Sequence, residues 1–561
     1  MPLTLFCNGA SAEDSGQSRV LLTGRITCQW LSMVQQLTDA CVEILDGILT
    51  GEITRANLQA AKIAAARRYH LSSLLTNAQI YGIAQAPIQR QVVDVLQRKP
   101  MRTASGVAVI AVMTSPYPCP HGKCVPCPGG PEFSVPQSYT GLEPAAMRAI
   151  QHGFDPYKQV KARLNQLRQT GHPTDKAELI VMGGTFTARP RDYQEWFVRR
   201  CIQAMNDFPR ALGESHELNQ VATANASAST RNVGVTFETR PDFAQRHHVD
   251  RMLFLGATKV ELGLQSTSDR ILATIDRGHS VADAVEANRA CRDSGLKVGF
   301  HVMPGLPGSD FDSDRKMLRD LFTDERFCPD YLKIYPTLVT EGTPLHDLWK
   351  MGEYDALDLR DAVELIAQVK AELPTWVRLQ RVQRDVPAHR IVAGVKKGNL
   401  RQLAKNRLRE LGRECNCIRC REVGLQGITN VEDVERRVEK YRACKGVEYF
   451  ISSVGLRGDS EFLIGFARLR IPHTHDRPEI TNETALIREL HVYGKSATIG
   501  ERHEKKWQHR GFGGELLRTA ERIAADSGMR KIVTNSAIGV REYYRTKGYA
   551  REGPYMTKAL W

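Results

Sequence analysis

Cys119, Cys124 and Cys127 fall within one stretch of nine residues, and Pro128-Gly129-Gly130 follows at once. Three soft ligands and an obvious vacancy suit two chemistries. A [4Fe–4S] cluster held by three cysteines leaves its fourth iron for a small molecule, whereas a zinc ion needs a distant residue to close its tetrahedron. Cys415, Cys417 and Cys420 make a second trio, C-x-C-x-x-C, and His389 upstream is its nearest candidate fourth ligand. A closed zinc site there would stiffen a connector too small for its own core. Further on, Gln508, Phe512, Gly513 and Gly514 run into a helix expected over 515–526. Glycines ahead of a helix expose its free N–H groups, where a pyrophosphate binds.

The elements that position these residues follow from the apolar pattern. Short β-branched runs occur at Val107–Met113, Glu178–Met182, Val233–Phe237, Lys259–Gly263, Lys297–Val302 and Tyr331–Tyr335, with amphipathic helical stretches between them. Such alternation predicts parallel βα units and an α/β partial (β/α)6 barrel. Chemistry in these architectures sits beyond the strands' C-terminal ends. The first cysteine loop follows the first strand, Gly183 and Gly184 the second, Glu238 and Arg240 the third, Gln265 the fourth and His301 closes the fifth. Lys333 and Tyr335 point to the same mouth from the sixth.

From about Val447 the pattern changes to antiparallel strands, including 462–471 and 485–492, then the glycine loop, its helix, a strand at 531–534 and a helix bearing Tyr543-Tyr544. This arrangement resembles the GNAT acetyltransferase fold and its acetyl-CoA loop.

With 561 residues, two or three domains are expected. Thirteen cysteines, six of them in two tight trios, indicate metal spacing in a reducing compartment, hence a cytoplasmic protein. No apolar run suits a membrane span or a secretory signal. A net charge of +14 favours a polyanionic partner such as nucleic acid. Residues 1–30 read as disordered and 31–96 as helical, with Lys62, Arg67 and Arg68 on a basic face that could meet nucleic acid. Lys396, Lys397 and Arg401 are further candidate phosphate contacts. The barrel is expected over 97–385, a cysteine-rich linker over 386–440 and the GNAT-like domain over 441–561.

The wording narrows the identity further. The segments CPHGKCVPCPGGPE, MGGTF, FETRPDF, ELGLQS, RGHS, LKIYPTLV, RVQRDVP, RELHVYG, QHRGFG and YYRTKGY, in this order, closely resemble the Elongator catalytic subunit family of radical-SAM tRNA carboxymethyluridine synthases. The resemblance runs from about residue 97 to the C-terminus. It implies that Cys119, Cys124 and Cys127 hold a [4Fe–4S] cluster with S-adenosylmethionine, which Gly183, Gly184, Glu238, Arg240 and Gln265 would contact. Acetyl-CoA would meet Lys176, Glu489, Leu490, His491, Val492, Gln508, Phe512, Gly513, Gly514 and Tyr544; Tyr543, Tyr544 and Lys333 are the candidate catalytic side chains. The implied reaction is radical hydrogen abstraction from the acetyl methyl, addition to carbon 5 of the wobble uridine in a tRNA anticodon, and thioester hydrolysis. An electron donor is implied as well. The linker cysteines are absent from eukaryotic relatives, and the C-x4-C-x2-C spacing differs from the C-x3-C-x2-C of most radical-SAM enzymes. Two rivals remain: a lysine acetyltransferase with Glu489 or His491 as base, and a non-catalytic tRNA-binding scaffold.

Overall fold

The structure, a computed structural model, describes residues 16–209, 217–458, 460–494, 507–508 and 510–560, with the backbone alone over 16–30. The chain divides into two compact units, Met1–Pro100 with Gln166–His172, and Met101–Asn165 with Pro173–Trp561.

Helices in the first unit span Gly16–Leu49, Leu58–Arg68, Asn77–Ile83 and Ala86–Leu96. Cys41, Ile44, Leu45 and Ile48 recur at three- and four-residue steps, so they share one helix face and bury it against Leu58, Ile80, Val92 and Leu96. Thr76 and Gln79 form a capping box at the third helix. Two expectations are corrected here. Residues 16–30, expected to be disordered, are helical, while 1–15 lie outside the described residues. No proline falls between Pro2 and Pro87, so nothing there removes a helical N–H. Lys62, expected on the basic face, is buried and its Nζ donates to Asn77 Oδ1 at 3.0 Å. The helix's apolar spacing turns it inward; Arg67 and Arg68 are exposed.

In the second unit, β1 (Ala108–Met113), β2 (Lys176–Met182), β3 (Arg231–Thr239), β4 (Lys259–Gln265), β5 (Lys297–Val302) and β6 (Tyr331–Ile334) lie side by side in chain order, all parallel. This is the expected half-barrel with one addition. After β7 (Val339–Thr340), β8 (Arg378–Arg381) joins β6 as a seventh parallel strand, and β9 (Ile391–Ala393) pairs with β7. β8 hid from the pattern because Leu379 is its single apolar residue.

Period-two alternation gives the barrel two unlike faces. Val260, Leu262, Val298, Phe300, Leu332 and Ile334 are fully buried on the face toward the helices. The alternate positions, Lys259, Glu261, His301 and Lys333, meet one another in the lumen: Lys259 Nζ is 3.1 Å from Glu261, and His301 Nε2 is 3.0 Å from it. Lys333 also pairs with Glu261.

β10 (Asp433–Ala443), β11 (Gly446–Arg457), β12 (Ser460–Ile471), β13 (Thr484–Val492), β14 (Lys531–Thr534), β15 (Ala550–Glu552) and β16 (Tyr555–Ala559) make a second sheet in the order β10-β11-β12-β13-β14-β16-β15. β13 and β14 are its parallel pair, and their pairing ends at Ile487 and Thr534. Among the described residues, Arg488–Val492 therefore faces no strand on that side. This is the GNAT-like layout. The helix Phe512–Asp526 covers it, burying Leu516, Leu517, Ala520 and Ala524 against Ile451, Ile487 and Ile532. The sheet begins at Asp433, inside the expected linker: β10 is an edge strand whose Glu435, Arg437 and Glu439 mask its pattern.

A buried ion network joins the sheets. Asp330, at the start of β6, accepts from Arg488 at 2.7 and 2.8 Å. Glu448 accepts from Arg488 at 2.9 Å and from Arg292 at 3.0 Å. All four side chains are at most 1 % exposed.

Candidate functional site

β1 and β2 deliver the cysteine loop and the Gly183-Gly184 turn to one end of the barrel. At Gly183, φ +125°, a Cβ would lie 2.2 Å from Thr114 Oγ1, so only glycine allows the two strand ends to approach. A Cβ at Gly184 would lie 3.7 Å from Cys119 Sγ, and Thr185 Oγ1 is 3.5 Å from that sulfur. Burial raises the Cys119 and Cys127 thiols above their ordinary range.

The spacing of the sulfurs separates the two cysteine trios. Thiolates 2.3 Å from one tetrahedral ion sit about 3.8 Å from one another. Among the described residues, two sets have all ligand atoms within 4.8 Å: Cys415–Cys417–Cys420 and Glu238–Glu261–His301. Cys119, Cys124 and Cys127 do not form such a set.

Polar side chains from five elements converge on the same mouth. Glu238 accepts from Tyr139 Oη at 3.1 Å and from Lys333 Nζ at 2.9 Å. Lys333 is thus held between Glu238 and Glu261; burial opposes its charge, but the two carboxylates more than offset that and raise its pKa. Its ammonium occupies the centre of the Glu238–Glu261–His301 set, where a cation would otherwise sit. His301 is held neutral by burial and by Lys333. Arg240 donates to both oxygens of Asp242 at 2.9 and 2.8 Å, and to Gly278 O at 2.9 Å. Among the described residues its NH1 and Gln265 Oε1 are buried without a hydrogen-bond partner, and the two buried ring nitrogens of His279 have only the Leu264 backbone near them. Burial, then Arg277 and Arg240, push His279 down to about 2. Buried polar atoms are rarely left so, and this set is the donor and acceptor complement that a polar cofactor would satisfy. Gln265 is also held at φ +68°. The strand-end pattern missed Tyr139 and the Arg277-Gly278-His279 loop, because both lie between helices or in loops, outside the βα rhythm.

The opposite end of β2 carries the second candidate site. Lys176 opens that strand, and its Nζ donates to Gln508 Oε1 at 2.9 Å. Gln508 Nε2 in turn donates to Val492 O at 3.3 Å, on the strand edge left open in β13. Gly511, φ +98°, ends the turn before the helix at Phe512, whose first amides have no side-chain cap. Lys176, Val492, Gln508 and the Phe512-Gly513-Gly514 turn are thereby gathered.

Four of the expected acetyl-CoA contacts make other contacts in the structure. Tyr544 is 5 % exposed and packs in the core with Leu516, Leu517, Ile532 and Tyr549, because the helix Arg541–Arg545 turns that face inward. Tyr543 lies on the other face: its buried hydroxyl, without a hydrogen-bond partner among the described residues, is 3.2 Å from where a Gly513 Cβ would be. Glu489 points to the barrel, accepting from Tyr331 Oη at 2.5 Å and Arg468 Nε at 3.0 Å. Burial would raise its carboxyl, but Arg468 and Lys297 hold it below the usual range. Leu490 packs at the border of the core. His491 stacks against Phe466 and lies tilted against Tyr493, and burial lowers its pKa.

In the linker, Lys370 Nζ lies 3.5 Å from Cys420 Sγ, and Ile418 N donates to Val377 O at 2.9 Å to seat the loop. His389 does not join the trio; it is exposed in a short turn ahead of β9, a correction to its expected role as ligand. Arg401, expected to contact phosphate, donates to the carbonyl oxygens of Leu379 and Gln380, and burial lowers it to about 10. Lys396 and Lys397 are exposed. No helix among the described residues is long and apolar enough to cross a membrane.

Residues 116–321 match the Radical SAM superfamily, 329–410 the Radical_SAM C-terminal domain and 37–104 the ELP3 N-terminal domain. The first match spans the cysteine loop and implies a [4Fe–4S] cluster with S-adenosylmethionine. A tRNA uridine(34) acetyltransferase of Methanocaldococcus infernus is 48% identical over 86% of this chain and 91% of that protein. Elongator complex protein 3 of Schizosaccharomyces pombe is 41% identical over 93% of this chain and 98% of its own length. The human Elongator complex protein 3 is 40% identical over 90% and 93%. Among solved structures, archaeal Methanocaldococcus infernus Elp3 lacking its N-terminus (1–46) superposes with a TM-score of 0.71 at 44% identity, covering 81% of this chain and 100% of that one. Identity at this level, sustained across both the half-barrel and the GNAT-like sheet, means that the chain belongs to the Elongator complex protein 3 family.

Proposed function

We propose that this protein is a tRNA-modifying enzyme that forms 5-carboxymethyluridine at the wobble uridine, using acetyl-CoA and radical S-adenosylmethionine chemistry. The observation that carries this reading is the presence of two differently built sites on one barrel. Cys119, Cys124 and Cys127 would hold a [4Fe–4S] cluster, with Gly183, Gly184, Arg240, Gln265 and His279 toward S-adenosylmethionine. When bound, that pair supplies a 5′-deoxyadenosyl radical for hydrogen abstraction.

The chain's own residues do the rest. The amides at Phe512–Gly514 and Lys176 bind the phosphates of acetyl-CoA, the open edge of β13 aligns its pantetheine arm, and the Tyr543 hydroxyl faces the thioester end. At the mouth, Lys333 stays charged between Glu238 and Glu261, and Tyr139 donates to Glu238, so the uridine meets fixed donors and acceptors that need no rearrangement. A zinc ion on Cys415, Cys417 and Cys420 would be structural, with Lys370 offsetting the thiolate charge. The named relatives, tRNA uridine(34) acetyltransferases, support a tRNA anticodon as the partner.

A lysine acetyltransferase would need a free base beside the thioester. The Glu489 carboxylate is occupied by Arg468 and Tyr331, which speaks against it. The test is anaerobic reconstitution with reductant, S-adenosylmethionine, acetyl-CoA and tRNA. 5′-Deoxyadenosine and a carboxymethyl mass gain on the wobble uridine are expected. Neither product from protein with an intact cluster would overturn the proposal.

A further inference from the structure

The Arg277-Gly278-His279-Ser280 segment follows no strand. It connects the helices Asp269–Thr274 and Val281–Asp293, yet it reaches the cysteine loop. Gly278, φ +69°, makes this approach possible: a Cβ there would lie 2.6 Å from His121 Cβ. Arg277 is 9 % exposed. Its NH1 donates to Cys124 Sγ at 3.6 Å and its NH2 to Gly263 O at 2.8 Å, which aims the guanidinium at the sulfur. His121 Nε2 lies 3.0 Å from the same sulfur.

The three thiols are not treated alike. Cys119 meets the hydroxyl of Thr185 and Cys127 that of Ser138, at 3.5 and 3.6 Å. Among the described residues, Cys124 alone of the three accepts a hydrogen bond from a guanidinium, while Arg277 and Arg240 reach Cys119 only through their charge. Among the described residues, no carboxylate pairs with Arg277, and its Nε has no hydrogen-bond partner. A buried cation without a counter-charge is costly. Three thiolates on an iron–sulfur core carry a net negative charge that would compensate it.

We propose that Arg277 is a positioning residue that raises the reduction potential of the cluster, acting through Cys124. This rests on the reading of the Cys119–Cys127 loop as a [4Fe–4S] site. The couple takes one electron from a low-potential donor and gains one unit of negative charge, with no bond made or broken. Hydrogen bonds to ligand sulfur and a nearby positive charge both favour the reduced form. Gly263 O fixes the direction of the fork, so lysine would keep the charge but lose the geometry.

The experiment is an EPR-monitored potentiometric titration of reconstituted wild type, Arg277→Gln and Arg277→Lys, without acetyl-CoA or tRNA. The midpoint of Arg277→Gln is expected to be more negative than wild type, with Arg277→Lys between them. An unchanged midpoint in Arg277→Gln at full cluster content would overturn the assignment. Failure of both variants to hold a cluster would also overturn it, making Arg277 a builder of the loop. A wild-type protein that takes up no cluster would instead remove the underlying reading.

Discussion

Lys176 Nζ lies 2.9 Å from Gln508 Oε1, although the two residues are 332 positions apart, one opening a barrel strand and the other in the turn ahead of the helix Phe512–Asp526. This contact sets the anchor at the start of β2, while Gly183 and the cysteine loop lie past its end. At about 3.3 Å per residue, the seven-residue strand separates them by roughly 20 Å. On the proposed function, acetyl-CoA anchoring and cluster chemistry would occupy opposite ends of one strand. Hydrogen bonds to a charged group contribute about 1.5–3 kcal/mol. Lys176→Met is therefore expected to weaken acetyl-CoA binding by roughly ten-fold or more, measured by calorimetry, with cluster content unchanged. Unchanged affinity would detach Lys176 from the site.

The two adjacent tyrosines should separate by what they change. Tyr543→Phe removes a hydroxyl that has no partner in the structure, so it is expected to leave the melting temperature alone and weaken acetyl-CoA binding. Tyr544→Ala empties part of the core and is expected to cost about 3–5 kcal/mol of stability in urea titration. The reverse pattern would restore Tyr544 to the thioester.

Asp314 gives the fold a pH dependence near neutrality. It accepts from Gly305 N at 2.5 Å and Ser309 Oγ at 3.3 Å, in the turn that closes β5. Burial pushes its carboxyl from 3.8 up to about 7. The native state then binds more protons than the unfolded chain across that window, so this group's contribution to stability falls as pH rises through it. Asp314→Asn removes that slope. Relative to wild type, the variant is expected to gain stability between about pH 4 and about pH 7 in chemical denaturation; a constant difference would show that Asp314 titrates normally.

Metal content distinguishes the linker ligands. Cys417 is fully buried within the compact trio, whereas His389 is exposed outside it. Cys417→Ser is expected to lose zinc by elemental analysis and to lower the melting temperature, while His389→Ala keeps both. Zinc loss on His389→Ala would return that histidine to the ligand set.

How much of this was legible in the chain depended on whether the signal was local. The cysteine spacing, the glycine turns and the six β-branched runs sit within short windows, and each reached its expected place at a strand or strand end. β8 and β10 did not, because Arg378–Arg381 and Asp433–Ala443 carry charges where isolated strands show apolar alternation. Those charges are satisfied by distant partners: Arg378 NH1 is 2.6 Å from Glu422 Oε2. Lys62 and Arg401 misled for the same reason, since a basic residue in sequence says nothing about whether an amide or a carbonyl waits inside.

By itself, the sequence determined the chemistry on offer: two cysteine trios, a glycine-led helix and parallel βα units, all properties of neighbouring residues and their period. Only the tertiary structure decided which residues meet. It brought Lys176 to Gln508, buried Tyr544 in the core and set Tyr543 beside Gly513 by the face of one short helix, and turned Glu489 toward Arg468 and Tyr331. It also drew Cys415, Cys417 and Cys420 into one compact set and left His389 outside it. Contacts between residues hundreds of positions apart depend on how the sheets are packed against each other, and no local pattern carries that information.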